Sequence, residues 1–497
     1  MKRFAVKSRL RASFLLFALF LFVMICAERT KARAGVEQGS VLQDFLPFIN
    51  STGVVQTYST NGDVDFTGPF FQSLSTNGRS CGSCHKPDQG WTISADGVSA
   101  TFRSSQGLDP LFRANDGSVC DHDIDTSTLE SRKHAYSLLI SRGLIRVTIK
   151  VPGNAEFTVV NVNNPYGCNE TDAISLYRRP LPSANLRFLS AVMWDGRESS
   201  PQTGTQKITY EEQNPGAILL ANLSDQVMNA TLGHAQAVTA PTQQQTDEIV
   251  RFETGLFTAQ GYDFKAGPLY GHAADGASGG PAFLARQTFF VGLNDPIDAL
   301  GLDRPDLGFN PFHSGFTPNI FDLFESWSDS HPADSLKQAR ASIARGEVIF
   351  NSKPINIAGV IGLNDELGIP VVSGTCGTCH DTPNAGNHSF PTPLNIGTGD
   401  LSNPLDVAYL PVITLQNNTS GQLLQTTDPG RALITGKWND VGKVKGPVLR
   451  ALASRAPYFH NGSAATLRDA VEFYNHRFGI GFTDAEKADL IAFLNAL

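Results

Sequence analysis

Cys376-Gly377-Thr378-Cys379-His380 and, 295 positions earlier, Cys81-Gly82-Ser83-Cys84-His85 decide how this sequence is read. Each is C-x-x-C-H, the spacing of covalent c-type haem attachment. Two thiols form thioethers to the haem vinyl groups, and the adjoining histidine supplies an axial iron ligand. A single C-x-x-C also suits a zinc knuckle or a redox dithiol. Two copies, each with histidine directly behind the second cysteine and both downstream of an export signal, favour haem. A zinc site built from all four thiolates would leave His85 and His380 without a role. The expectation is therefore two covalently bound haem c groups, attached at Cys81, Cys84, Cys376 and Cys379, with His85 and His380 on iron.

The export signal occupies residues 1–34. Lys2, Arg3, Lys7, Arg9 and Arg11 make a positive start, residues 14–26 are apolar, and Ala32-Arg33-Ala34 is a cleavage site of the A-x-A type. The apolar run is too short to favour a membrane span. The expected mature protein is periplasmic, begins near Gly35 and has no membrane span. Of seven cysteines, Cys26 leaves with the signal and four hold haem. Cys120 and Cys168 remain, and in an oxidising compartment such a pair favours a disulfide, two independent buried thiols being the alternative. The chain has 39 Lys and Arg against 47 Asp and Glu; eight of the basic and one of the acidic residues lie in the signal, which leaves a mature net charge of −15. That balance argues against nucleic acid as a partner, because phosphate binding wants a basic face. It suits a basic electron-transfer partner.

The pattern outward from the motifs is mostly helical. Residues 129–144, 216–236 and 246–259 carry helix-spaced apolar residues, and 334–351 forms a stripe of Leu336, Ala339, Ile343 and Ile349. Near the end, Thr483 and Glu486 make a capping box ahead of Leu490, Phe493, Leu494 and Leu497 on one face. Residues 144–151 and 157–162 alternate as strands do. Residues 88–117 and 261–330 are rich in Gly, Ser, Asp or Pro and read as loops. A haem motif between an early and a late amphipathic helix looks like the c-type cytochrome fold. The expected fold is mainly α: an N-terminal haem domain over 35–330, enlarged by insertions with some β structure, and a C-terminal haem domain over 331–497.

Three further segments carry a resemblance. Trp194-Asp195-Gly196-Arg197 lies between the haem motifs, Gly446-Pro447-Val448-Leu449-Arg450 follows the second, and Ala456-Pro457-Tyr458-Phe459-His460-Asn461-Gly462-Ser463 comes next, running on to Thr466-Leu467. In this order, and spread over most of the mature chain, they resemble the bacterial dihaem cytochrome c peroxidases and their MauG-like relatives. The resemblance implies an exported enzyme that reduces hydrogen peroxide to water with electrons from a small donor protein of the cytochrome c or cupredoxin type. Its alternatives are a MauG-like oxidase of a partner protein or organic substrate, and a non-enzymatic dihaem electron carrier. A homodimer is an open option for the assembly.

The same resemblance assigns roles. The N-terminal haem would be peroxidatic and the C-terminal one an electron relay, with Trp194 between them beside Arg197. Fourteen positions after His460 the family has methionine in peroxidases and tyrosine in MauG-like members; here it is Tyr474. His460 and His476 compete with it as iron ligands. No histidine stands between Lys86 and Asp121, which favours an open sixth position on the first iron, although His122 and His134 remain able to fold back. Peroxide cleavage needs a proton-moving group and a hydrogen-bond donor. The family's Gln and Glu are matched here by Gln226 and, in place of Glu, His234, with Glu211 and Glu212 as alternative acids. An inter-domain calcium ion would fall at Asn185, Arg455 and Pro457.

Overall fold

The computed structural model describes residues 41–198, 215–296, 315–329, 332–389 and 392–497. The signal segment, Glu211 and Glu212 lie outside the described residues.

The closing helix forms where its sequence predicts. Thr483 accepts from the Glu486 N–H at 3.2 Å while the Glu486 carboxylate accepts from the Thr483 N–H at 2.8 Å, and the helix runs Asp484–Ala496. It packs across the helix Ser335–Ser352, which Asp334 caps. The two cross at Gly346, where a β-carbon would come within 2.1 Å of the Asp489 carbonyl oxygen. Only glycine permits that approach, at the roughly 0.5–1 kcal/mol that glycine costs inside a helix. Phe321, Phe350 and Phe493 meet edge to face around the crossing, with centroids 5.1–5.8 Å apart. Ala266, Leu269, Ala277, Ile320, Phe324 and Trp327, from the stretch that the sequence division assigned to the N-terminal unit, are buried in this same core.

The mainly α expectation needs correction: the chain is mixed, with 32% helix and 18% strand. Phe48–Ile49, Gly53–Ser59, Leu256–Asp263 and Gly267–Pro268 form an antiparallel sheet in that order. The helix read to residue 259 stops at Gly255, and the chain enters the sheet directly. A short apolar run such as Leu256-Phe257 suits a buried strand as well as a helix, so its pattern does not arbitrate. Ile145–Lys150 and Phe157–Asn163 are strands as expected, and Phe157–Asn163 pairs with Val412–Asn417, tying the insertion to the C-terminal half. Conversely, the loop read over 88–117 contains the helix Ala95–Ser105. Ser94 caps it, and Val98 and Phe102, one turn apart, are its buried face. Polar composition hid a helix whose core contact is only two residues wide.

Cys120 and Cys168 form a disulfide with 5.7 Å between their Cα atoms. It closes a 48-residue separation, for which the chain-entropy model gives about 4 kcal/mol. Replacing both cysteines by alanine is expected to lower unfolding free energy by about 2–4 kcal/mol in urea titrations; an unchanged midpoint would show that the loop is held by packing alone.

Candidate functional site: two cavities facing one tryptophan

Each C-x-x-C-H segment folds as one tight turn. The His85 N–H donates to the Cys81 carbonyl and the His380 N–H to the Cys376 carbonyl, both at 3.0 Å. Residues at i, i+3 and i+4 of such a turn share a face, so both thiols and the imidazole project together. The turns start alike. The N–H of Ser80 donates to Ser83 Oγ, and that of Thr375 to Thr378 Oγ1, each at 3.0 Å. The glycine between the cysteines is a packing necessity: a β-carbon on Gly82 would lie 2.6 Å from the Phe71 ring, and one on Gly377 2.5 Å from Ile320.

The histidines are prepared in the same way. His85 Nδ1 lies 2.9 Å from the Trp91 carbonyl, and His380 Nδ1 2.7 Å from the Gly386 carbonyl. A carbonyl only accepts, so Nδ1 carries the proton and Nε2 presents a bare lone pair, the arrangement of a metal-ligating histidine. Burial lowers the pKa of both imidazoles, which keeps them neutral. Each opens into its own apolar cavity, with about 1390 Å³ of empty space at His85 and about 1650 Å³ at His380, mouths included. Apolar concavities with a few convergent polar groups are the usual form of a cofactor site. Phe70, Trp91 and Phe252 pack beside His85, while Phe350 packs beside His380. Among the described residues, the group of three or more metal donors within 4.8 Å of one another is Cys120, Asp121, His122 and Cys168, not either motif. The motif thiols therefore do not converge on a zinc ion, and the two pairs sit in separate cavities. The residues fit a haem in each.

The His85 cavity gathers the distal candidates. Gln226 and His234 both line it from one helical face, eight residues apart at the end of the helix Pro215–Gly233. His234 Nδ1 lies 2.6 Å from Asp116 Oδ2, and its Nε2 has no hydrogen bond among the described residues. Asp116 also pairs with Arg79. Burial works against the Asp116 charge, but the His234 hydrogen bond and the Arg79 guanidinium outweigh it and lower its pKa. Sequence reasoning missed Asp116 and Arg79, since the link between them and His234 is long-range. It also missed Glu253, a buried carboxyl lining this cavity, which burial pushes up to about 8. His122 and His134 do not fold back: both are exposed and line a surface hollow beside the disulfide.

In the C-terminal cavity, Tyr474 stands with its ring 6.4 Å from that of His380, edge on. Burial, then the Cys379 and Cys376 thiols, raise its phenol pKa, and its hydroxyl has no hydrogen-bond partner among the described residues. His476 is exposed on the opposite side of the same helix. His460 is buried, lines the cavity and lies 3.7 Å from Asp428. His388, which sequence reading passed over, stacks 6.1 Å from His380 and bonds the Cys379 carbonyl through Nδ1.

Trp194 lines both cavities. Its indole N–H donates to the Arg179 carbonyl at 2.7 Å, and its ring meets His460 at 6.1 Å. It begins a tight turn that needs Gly196 at φ 64°. Asp195 is wholly buried between Arg178 and Arg197, and Arg178 forks onto Asp428 at 2.7 and 2.8 Å. Arg197 thus serves the turn, although it also borders the His85 cavity. The calcium positions do not fit an ion. Both polar atoms of the Asn185 side chain are spent on the Thr258 backbone at 2.9 Å. The Arg455 carbonyl accepts from the Arg179 guanidinium at 3.0 Å, so this oxygen already faces a cation of the protein's own.

Two apolar cavities, each with a thiol pair and a poised imidazole, joined by one tryptophan, define a haem-binding chain. The chain is a distant homologue of the cytochrome-c peroxidases. It is 32% identical over 154 residues to Cytochrome-c peroxidase IdrP1 of Denitromonas iodatirespirans, covering 27% of this chain and 39% of that one. It is 26% identical over 209 residues to Cytochrome-c peroxidase IdrP1 of Pseudomonas sp. (strain SCT), covering 37% of this chain and 54% of the relative. The matched stretch thus spans about half or less of these relatives. No family model matches. Among solved structures, a MauG-like protein associated with microbial copper homeostasis aligns over 86% of this chain and 85% of that one, at 15% identity and a TM-score of 0.34. Among the described residues, no helix is long and apolar enough to cross a membrane.

Proposed function

We propose that the chain is an exported, periplasmic dihaem c-type peroxidase, with one haem at Cys81, Cys84 and His85 and the other at Cys376, Cys379 and His380. The reaction takes hydrogen peroxide, two protons and two electrons to two waters, the electrons coming from a small, basic redox protein. When bound, the iron at His85 supplies the redox chemistry of O–O cleavage. The observation that carries the reading is the Gln226–His234–Asp116 arrangement in the His85 cavity. Asp116 fixes the Nδ1–H tautomer, so His234 Nε2 takes the proton from the near peroxide oxygen and delivers it to the departing one. Gln226 donates a hydrogen bond to the developing charge. Arg79 keeps Asp116 ionised, and Trp194 links the two centres.

A second reading, a MauG-like oxidase, draws on Tyr474: a phenolate on the second iron would stabilise its oxidised form against a thioether. Turnover tests both. Peroxide-dependent oxidation of a reduced small cytochrome, with a high-spin ferric signal from the first haem, supports the peroxidase. Two low-spin haems in every redox state and no turnover would instead support a non-enzymatic electron carrier.

A further inference from the structure

Three buried cations line the C-terminal cavity: Arg179, Lys445 and Arg455 are 4%, 5% and 8% exposed. An uncompensated buried charge costs several kcal/mol, of order. Arg179 is compensated by backbone: its guanidinium donates to the carbonyls of Arg142 at 3.1 Å, Gly143 at 2.9 Å, Arg455 at 3.0 Å and Ile93. Lys445 is not, and Arg455 is only in part: its Nη2 donates to the Val448 carbonyl at 2.8 Å. The Lys445 ammonium has no partner among the described residues, and Arg455 Nε is buried without one. No carboxylate pairs with either among the described residues. Burial, then the Arg455 charge, drags the Lys445 ammonium down to about 8. Two cations side by side in an otherwise apolar chamber are a seat waiting for negative charge.

We infer that Lys445 and Arg455 hold the two propionate carboxylates of the tetrapyrrole in the C-terminal cavity. The inference rests on the haem reading above and deepens it. A haem brings two carboxylates, one for each cation, and charge-assisted pairs of this kind are the strong hydrogen bonds of protein interiors. The placement has a consequence for electron transfer. The Lys445 N–H donates to the Trp194 carbonyl at 2.7 Å, so the carboxylate edge is tied to the segment that separates the two cavities. Lys445 is a positioning residue, and its charge also favours the reduced iron.

The test is a redox titration of the holoprotein. Lys445→Met keeps the apolar stem and removes the charge. Removing a unit charge from beside the tetrapyrrole, at an effective dielectric of about 20, is expected to shift the redox equilibrium by roughly tenfold, which is a fall of about 59 mV for one electron. The expected result is that fall at the His380 haem alone, with both haems still attached by mass, a moved propionate band in resonance Raman spectra, and recovery in Lys445→Arg. Arg455→Gln, read in the same way, serves if Lys445→Met does not fold. An unmoved potential and propionate band with both haems attached would overturn the inference. A wild-type chain lacking the C-terminal haem would overturn the reading beneath it as well, and mass distinguishes the two failures.

Discussion

Replacing His234 by alanine is expected to slow peroxide turnover by about 10²–10⁴-fold, the range of a general acid–base group, while haem content stays at the wild-type level. The reason lies in the geometry. His234 faces the His85 cavity through its Nε2, with Asp116 2.6 Å behind Nδ1. Asp116→Asn is expected to cost less, about 10–100-fold, because it loosens the tautomer and leaves the imidazole in place. Steady-state assays with a reduced small cytochrome give both numbers. Wild-type rates in His234→Ala would move the acid–base role elsewhere, and Glu253 in the same cavity would be the next group to change.

Asp195→Asn is expected to destabilise the chain by roughly 3–5 kcal/mol, as removing one partner from a buried charge network does. Asp195 is wholly buried and neutralises Arg178 and Arg197, while Arg178 also grips Asp428 from the C-terminal half. The pH dependence has a definite sign. Burial opposes the Asp195 charge, but Arg197 and Arg178 win and hold its carboxyl well below the usual range; Arg178 and His460 do the same for Asp428. A depressed folded-state pKa means the stabilisation is present above the unfolded value of about 4 and is lost as pH falls below it. Urea midpoints followed by far-ultraviolet circular dichroism should therefore be steady above about pH 5 and drop on the acid side, with a shallower drop in Asp195→Asn. Equal stability of the two proteins at pH 7 would mean that the network does not hold the turn.

Much of this was legible because it is local. C-x-x-C-H fixes thiols and imidazole within one turn, and Thr483 with Glu486 announces the last helix three residues ahead. Gln226 and His234 share a helical face, so their common cavity follows from spacing once the helix is granted. What was hidden is non-local. Asp116 reaches His234 across 118 positions, and Arg178 reaches Asp428 across 250. The strand Gly53–Ser59 gains its meaning only from pairing with Leu256–Asp263. Arg179 reads as half of a charged pair before two prolines; only the fold surrounds its guanidinium with carbonyls. A lysine is mostly exposed by residue type, and only the fold puts Lys445 in the cavity wall.

The most direct measurement is the intact mass of the purified, processed chain together with its bound iron. The expected result is polypeptide mass plus two porphyrins that survive acid and organic solvent, and two irons per chain. A bare polypeptide mass, or zinc in place of iron, would contradict it.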